Sequence, residues 1–210
     1  MSLFAREDLI VTGEPGDADQ RAATRFTPMI RTAKITGVSG EFLCVVSDIS
    51  STGVSVRLFH PLPPDLALKL EMPNGDSLPI ETVWEREGRA GFRFVDTVDL
   101  HQILQGRGEW PKRPIRLNLD MPATLSILAG RFDAWIHNIS LQGAQIQCDA
   151  RLALDQRLRL SNEVLPEIVA KVRWRSGKSY GLIFDDTFQF ADLARIAAFA
   201  QGLPLENRPA

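Results

Sequence analysis

The sequence predicts an all-β protein with short helices, in which one small barrel or sandwich is used twice. Three observations carry this. First, residues 48–97 and 138–187 repeat one pattern ninety positions apart without a gap: Ile49/Ile139, Ser50/Ser140, Gly53/Gly143, Leu68/Leu158, Leu70/Leu160, Trp84/Trp174, Gly91/Gly181 and Phe94/Phe184. A register kept through Trp, Gly and Phe means that the copies share strand lengths and loops. Second, from Ile30 onward short alternating or β-branched runs are bounded by Gly, Pro, Asn and Asp: Arg31 to Ile35, Glu41 to Val46, Val54 to Leu58, Ala67 to Met72, Ser77 to Trp84, and Ala90 to Phe94. Six such runs at hairpin spacing indicate a closed or packed antiparallel sheet. Third, Asn74-Gly75 between two runs is a strong local hairpin signal, whose counterpart near Asn162 has lost the glycine.

Each set of strands is followed by a helical stretch. Thr97 to Gln105 ends at Gly106, and Phe188 to Gln201 ends at Gly202 and Pro204. In the second, Phe190, Leu193, Ile196, Ala197 and Ala200 recur at helical spacing, so one face can cover a barrel opening or the other domain. The chain therefore divides into an acidic tail (1–18), a first domain (19–106), a connection (107–114), a second domain (115–204) and a C-terminal tail (205–210). A connection this short implies domains that touch or nearly touch.

Composition excludes several classes. Hydrophobic content of 44%, charged content of 24% and a net charge of −2 describe a globular protein with no call for a polyanion partner. Apolar runs such as Ile196 to Ala200 are far too short to cross a bilayer, and the N-terminus lacks a basic-then-apolar signal, which places the chain in the cytoplasm without membrane insertion. Cys44 falls opposite Ala134 and Cys148 opposite Leu58, so two unrelated buried thiols are expected rather than a duplicated bridge. His60, His101 and His137 stand apart from second ligands at zinc spacing, and no metal is assigned. No nucleophile elbow surrounds Ser50 or Ser140, and the pair Asp185-Asp186 has no basic companion, so no enzyme is expected.

The first repeat opens with Arg21-Ala22-Ala23-Thr24-Arg25. It presents Asp48-Ile49-Ser50-Ser51-Thr52-Gly53 at the end of the run Glu41 to Val46, 23 residues later. Together with Val83-Trp84 and Gly91-Phe92-Arg93-Phe94, these motifs resemble the PilZ family over residues 21 to about 104. The resemblance implies two tandem six-stranded antiparallel β-barrels, each followed by a short helix, and a bacterial receptor for cyclic di-GMP. It implies that Arg21 and Arg25 grip phosphate and guanine, that Asp48 and Ser50 hydrogen-bond guanine, and that Gly53 permits the turn and close approach. The chemistry is suited to the ligand, because a guanidinium matches guanine O6 and N7 or a phosphate and also stacks on a base. Taken singly, two arginines four apart also describe an ordinary solvated pair. D-x-S-x-x-G also describes a capped turn with positive φ at Gly53.

The second repeat keeps Asn138, Ser140 and Gly143 but places Pro111 and Ile115 where Arg21 and Arg25 stood. A one-residue slip brings Lys112 and Arg116 into a KxxxR version, a degenerate second site in which lysine cannot stack or make the two-pronged contact. Function is thus expected in the first barrel: ligand draws the Arg21 to Arg25 segment onto it and changes the face offered to a protein partner. The rival is a scaffold of the same family that binds no nucleotide. Pairing of two chains into a homodimer fits either reading.

On the Trp-bearing strand, Glu81 and Glu85 become Lys171 and Arg175 in the second copy. Strand alternation puts each pair opposite the tryptophan, as a solvated outer face or as opposite-signed faces that meet between domains or chains. Trp174 then reads as core, which argues against a DNA- or RNA-binding face built on Lys171, Arg173, Arg175 and Lys178.

Overall fold

The computed structural model describes residues 31–65, 67–105 and 114–204. In the first half, β1 (Arg31–Gly37), β2 (Gly40–Ile49), β3 (Gly53–Arg57), β4 (Leu68–Glu71), β5 (Ser77–Arg86) and β6 (Arg89–Phe94) precede α1 (Leu100–Gln105). In the second, β7 (Leu117–Ile127), β8 (Gly130–Ser140), β9 (Gly143–Cys148), β10 (Arg157–Ser161), β11 (Ile168–Ser176) and β12 (Ser179–Phe184) precede α2 (Phe190–Ala200). Each set closes into an antiparallel barrel, ordered β1-β2-β3-β6-β5-β4 and β7-β8-β9-β12-β11-β10. The expected six-stranded barrels, their duplication and their shared register are therefore observed.

Alternation builds each core. Inward-facing Ala33, Ile35, Cys44, Val46, Val54, Val56, Phe92 and Phe94 fill the first barrel. Ala123, Leu125, Ile136, Ile146, Leu182 and Phe184 are among those that fill the second. Both cysteines are free and buried, and burial pushes the Cys44 thiol far above its usual range. Gly75 has a φ of +89° in the hairpin between β4 and β5, where its N–H donates to the Met72 carbonyl at 2.9 Å. At the counterpart hairpin the Asn162 side chain replaces that device, its Oδ1 accepting from the Val164 and Leu165 amides at 2.9 and 2.6 Å.

α1 is shorter than the expected Thr97 to Gln105, because Asp99 caps it through the His101 amide at 2.9 Å. α2 does both jobs open to it. Leu193, Ala194 and Ala197 join the second core, while Ala198 packs with Phe42 of the first barrel and with Leu203. Its end is closed by Gly202 at a φ of +88°, with the Leu203 amide donating to Ala198 O at 3.0 Å.

The barrels touch through the β1–β2 hairpin of the first. Leu43, 2% exposed, belongs to the core of the second barrel, and Phe59 meets Phe190 edge-on at 5.6 Å between ring centroids. The Gln201 side chain spans the Glu41 backbone, accepting from its N–H at 2.7 Å and donating to its C=O at 2.8 Å. That approach requires Gly40, where a Cβ would lie 2.0 Å from Gln201 Oε1. The Glu41 carboxylate accepts from Lys34 Nζ at 2.8 Å and from the Asn118 backbone and side-chain N–H groups at 2.8 and 2.6 Å. Three donors on one largely buried carboxylate make this a satisfied polar lock rather than a solvated surface pair.

The expected meeting of Glu81 and Glu85 with Lys171 and Arg175 is not seen within the chain. Glu81 pairs with Arg93 at 2.6 Å, Glu85 accepts from the Leu62 amide at 2.8 Å, and Arg175 donates to Leu152 O at 3.4 Å, all inside their own barrels. Among the described residues, no helix is long and apolar enough to cross a membrane.

Candidate functional site

Two β-bulges shape the candidate site on the first barrel. In β2 the pairing jumps from Val46↔Val56 to Asp48↔Ser55, so Ser47 is extra and Asp48, which unbroken alternation would turn inward, faces out. In β5 the pairing jumps from Thr82↔Phe92 to Trp84↔Gly91, so Val83 is extra and Trp84 also faces out. Asp48, Ser55, Gly91 and Trp84 then form one row across β2, β3, β6 and β5, with Gly53, Arg93 and Glu81 in the next row. The tryptophan lies flat over Gly91, where a Cβ would come within 2.1 Å of its Nε1. Expecting Trp84 and Trp174 in the core was therefore wrong: they are 37% and 39% exposed. The same bulge places Trp84 with Glu81 and sends Glu85, paired with Ala90, to the other face. Sequence alternation missed this because an extra residue in a strand leaves no signature in composition.

Around this row lies a pocket of about 260 Å³, lined by Asp48, Ser55, Trp84 and Arg93 among others. It offers an aromatic plane, a carboxylate, a hydroxyl and a guanidinium. Arg86, at the end of β5, stands over the Trp84 ring with its guanidinium 5.2 Å from the ring centroid. Asp48 Oδ2 accepts from the Ser55 hydroxyl at 3.3 Å. Trp84, Ser55 and Arg93 are among the lining residues that the motif does not assign to a site.

Ser50 and Gly53 build the turn. The buried Ser50 hydroxyl donates to Gly53 O at 3.2 Å and accepts from Gly53 N at 3.1 Å, and the Ser50 amide donates to Gly53 O at 2.8 Å. Gly53 does not have the positive φ that a capped turn suggested, and neither does Gly143. The constraint is close approach: a Cβ would lie 2.6 Å from Phe92 O at Gly53 and 2.2 Å from Leu182 O at Gly143. Gly143→Ala is accordingly expected to force β9 from β12 and to lower the unfolding free energy by about 1–3 kcal/mol, as overpacking does, measured by thermal unfolding. An unchanged melting curve would contradict this account of the glycine.

The second barrel repeats the row as Asn138, Gln145, Gly181 and Trp174, with a bulge at His137 and another at Arg173. Its polar groups are turned on one another. Arg116 donates to Asn138 Oδ1 at 3.2 Å, and Asn138 Nδ2 donates to Gln145 Oε1 at 2.9 Å. Ser140 donates to Gly143 O at 3.1 Å, as Ser50 does in the first copy. The hydrogen bond to Asp120 raises the His137 pKa, with further help from Gln147. Of the predicted site residues, Asp48, Ser50 and Gly53 come together on one barrel, and Arg116, Asn138, Ser140 and Gly143 on the other. Arg21, Arg25 and Lys112 lie outside the described residues. Among the described residues there is no group of three or more His, Cys, Asp or Glu able to hold a metal ion.

Solved structures similar to this chain include PlzA from Borreliella burgdorferi in complex with c-di-GMP, at 12% identity over 82% of this chain and 88% of that one, with a TM-score of 0.33. YcgR from Escherichia coli in complex with c-di-GMP is similar at 9% identity, 77% and 79% coverage and a TM-score of 0.31. The MrkH–c-di-GMP complex of K. pneumonia is similar at 14% identity, 80% and 84% coverage and a TM-score of 0.30. No curated protein matches the sequence. The PilZ domain model matches residues 19–106 and again residues 112–202, once on each barrel, and the chain belongs to the PilZ domain family.

Proposed function

We propose that the protein is a bacterial, cytoplasmic receptor for cyclic di-GMP, in which the first barrel binds the nucleotide and the ligand-ordered face regulates a partner protein. The observation that carries this reading is the pocket in which the motif residue Asp48 shares an outward row with Trp84, beside Arg93, on a barrel of this family.

Cyclic di-GMP has two flat bases, two guanine edges and two phosphates. Trp84 supplies a plane on which a base stacks in place of the Arg86 guanidinium that stands over the ring. Asp48 accepts from the guanine N–H edge, and the arginines from the segment before β1, Arg21 and Arg25, supply the positive charge and the guanine O6/N7 contact. Arg93 is already on the surface, and its pair with Glu81 is exposed on both sides, so exchanging that carboxylate for a phosphate costs little. Ser50 and Gly53 serve by holding the turn and clearing the sheet surface.

The second barrel supports the placement of the arginines. There the residue in the KxxxR segment, Arg116, reaches the Asn138 side chain at the motif turn, and the corresponding pair in the first barrel, after a one-residue slip, is Arg25 and Asp48. That barrel keeps the row but replaces Asp48 by Asn138 and Arg93 by Ile183, which removes a carboxylate and a cation from the site. Its role in this reading is packing and partner contact.

Calorimetric titration of cyclic di-GMP into the full chain tests the proposal. Saturable heat is expected in the native protein and its loss in Arg25→Ala; absent heat in the native protein would favour the scaffold that binds no nucleotide.

A further inference from the structure

We propose that the outward face of β11 and β12 in the second barrel is a docking surface for an acidic, apolar segment of a partner protein. The duplication supplies the comparison that isolates it. Glu81 in the first barrel corresponds to Lys171, Val83 to Arg173 and Arg93 to Ile183, while the tryptophan between them is kept. In the first barrel Glu81 and Arg93 close on one another at 2.6 Å, leaving that patch electrically balanced. In the second, Lys171 is the direct cross-strand neighbour of Ile183, so the position of the carboxylate holds a cation and its partner is aliphatic.

The result is an apolar centre with uncompensated positive charge. Trp174, Ile183 and Val169 are 39%, 46% and 37% exposed. The register places them with Lys171 on one outward surface: Trp174 lies opposite Gly181, two residues from Ile183, and Val169 is two residues from Lys171. The nearby cations Arg157, Arg159 and Lys178 are each occupied by a carboxylate, Asp185, Glu167 and Asp149 respectively. Lys171 and Arg173 have no carboxylate partner among the described residues. Arg173 is the bulge residue and is exposed.

Charge complementarity selects the occupant. Two unpaired cations beside an exposed apolar cluster favour carboxylates flanking an apolar anchor. The aliphatic groups distinguish this from a single-strand nucleic-acid platform, which would use stacking planes and a longer phosphate track. Exposure of Trp174 does remove the argument that it is core, so nucleic acid becomes an outcome of the test.

The test is selection of a random phage-displayed peptide library on the full chain, with the selected peptides synthesised and titrated by fluorescence anisotropy. The decisive variant is the pair Lys171→Glu with Ile183→Arg, which writes the first barrel's own ion pair into the second and so is suited to the fold; Arg173→Glu is an independent second variant, and thermal unfolding confirms that each is folded. Peptides carrying Asp or Glu beside large apolar residues are expected, with affinity weakened tenfold or more in both variants. Peptides without that bias, or binding the variants as tightly as the native chain, would overturn the proposal. So would salt-sensitive binding of oligothymidine that displaces the peptides, or light scattering showing that this face instead joins two copies of the chain.

Discussion

Replacing Leu43 by aspartate is expected to part the two barrels while leaving each folded. The substitution is not arbitrary: Asp133 stands at the same place in the repeat, on the equivalent strand of the second barrel, so β2 can carry an outward aspartate without loss of its own pairing. What it cannot do is bury one. Leu43 sits inside the hydrophobic core of the other barrel. Its truncation alone would cost about 2–5 kcal/mol by cavity formation, and an unpartnered carboxylate there adds a desolvation penalty that separation relieves. The measurement is thermal unfolding together with small-angle scattering. One transition in the native chain should become two, with a larger radius of gyration. A single transition and unchanged dimensions would mean that Leu43 is not what joins the barrels.

The second large effect is at Trp84. Trp84→Ala is expected to weaken cyclic di-GMP binding between roughly fivefold and a hundredfold, since a base stacked on an aromatic side chain contributes about 1–3 kcal/mol. The barrel should tolerate the change, because Trp84 is on the outer surface over Gly91 and is not one of the inward residues that fill the core. The same substitution of the second-barrel tryptophan, Trp174→Ala, should leave nucleotide affinity in place, because Ile183 stands there instead of Arg93. Calorimetry on the two variants separates them. Equal losses would show that both barrels share the ligand, and no loss in either would remove the aromatic plane from the proposed site.

Much of the fold was legible because it depends on features that sequence displays directly. Alternating runs, an Asn-Gly hairpin and a ninety-residue register gave the six strands and their duplication. The candidate site was legible only in part. Asp48, Ser50 and Gly53 announced themselves as a motif, but the side chains that share the pocket with Asp48 did not. Ser47 and Val83 are each an extra residue in an otherwise regular ladder, and each turns the next stretch of its strand to the opposite face. Counting in twos across such a point sends Trp84 to the core and leaves Glu81 and Glu85 together, and both assignments fail for that one reason. Gly53 and Gly91 were visible as constants of the repeat. Their shared physical cause, a neighbouring group lying where a Cβ would be, depends on strands distant in sequence. The bond from Arg116 to Asn138 needed β7 and β8 to be paired before it could be seen.

The hairpin that joins the barrels also decides how the chain can grow. Gly40 is pressed against Gln201, while Gly130, its repeat equivalent, has nothing within 4 Å of the space a Cβ would fill. The second hairpin has the same turn but carries Arg131 and Asp133 where the first has Glu41 and Leu43. A head-to-tail contact that is not closed by rotation would otherwise add molecule after molecule into a filament. Here the second barrel's hairpin carries Asp133 where the first carries Leu43, so the apolar contact that joins the two barrels is not one that the second hairpin repeats.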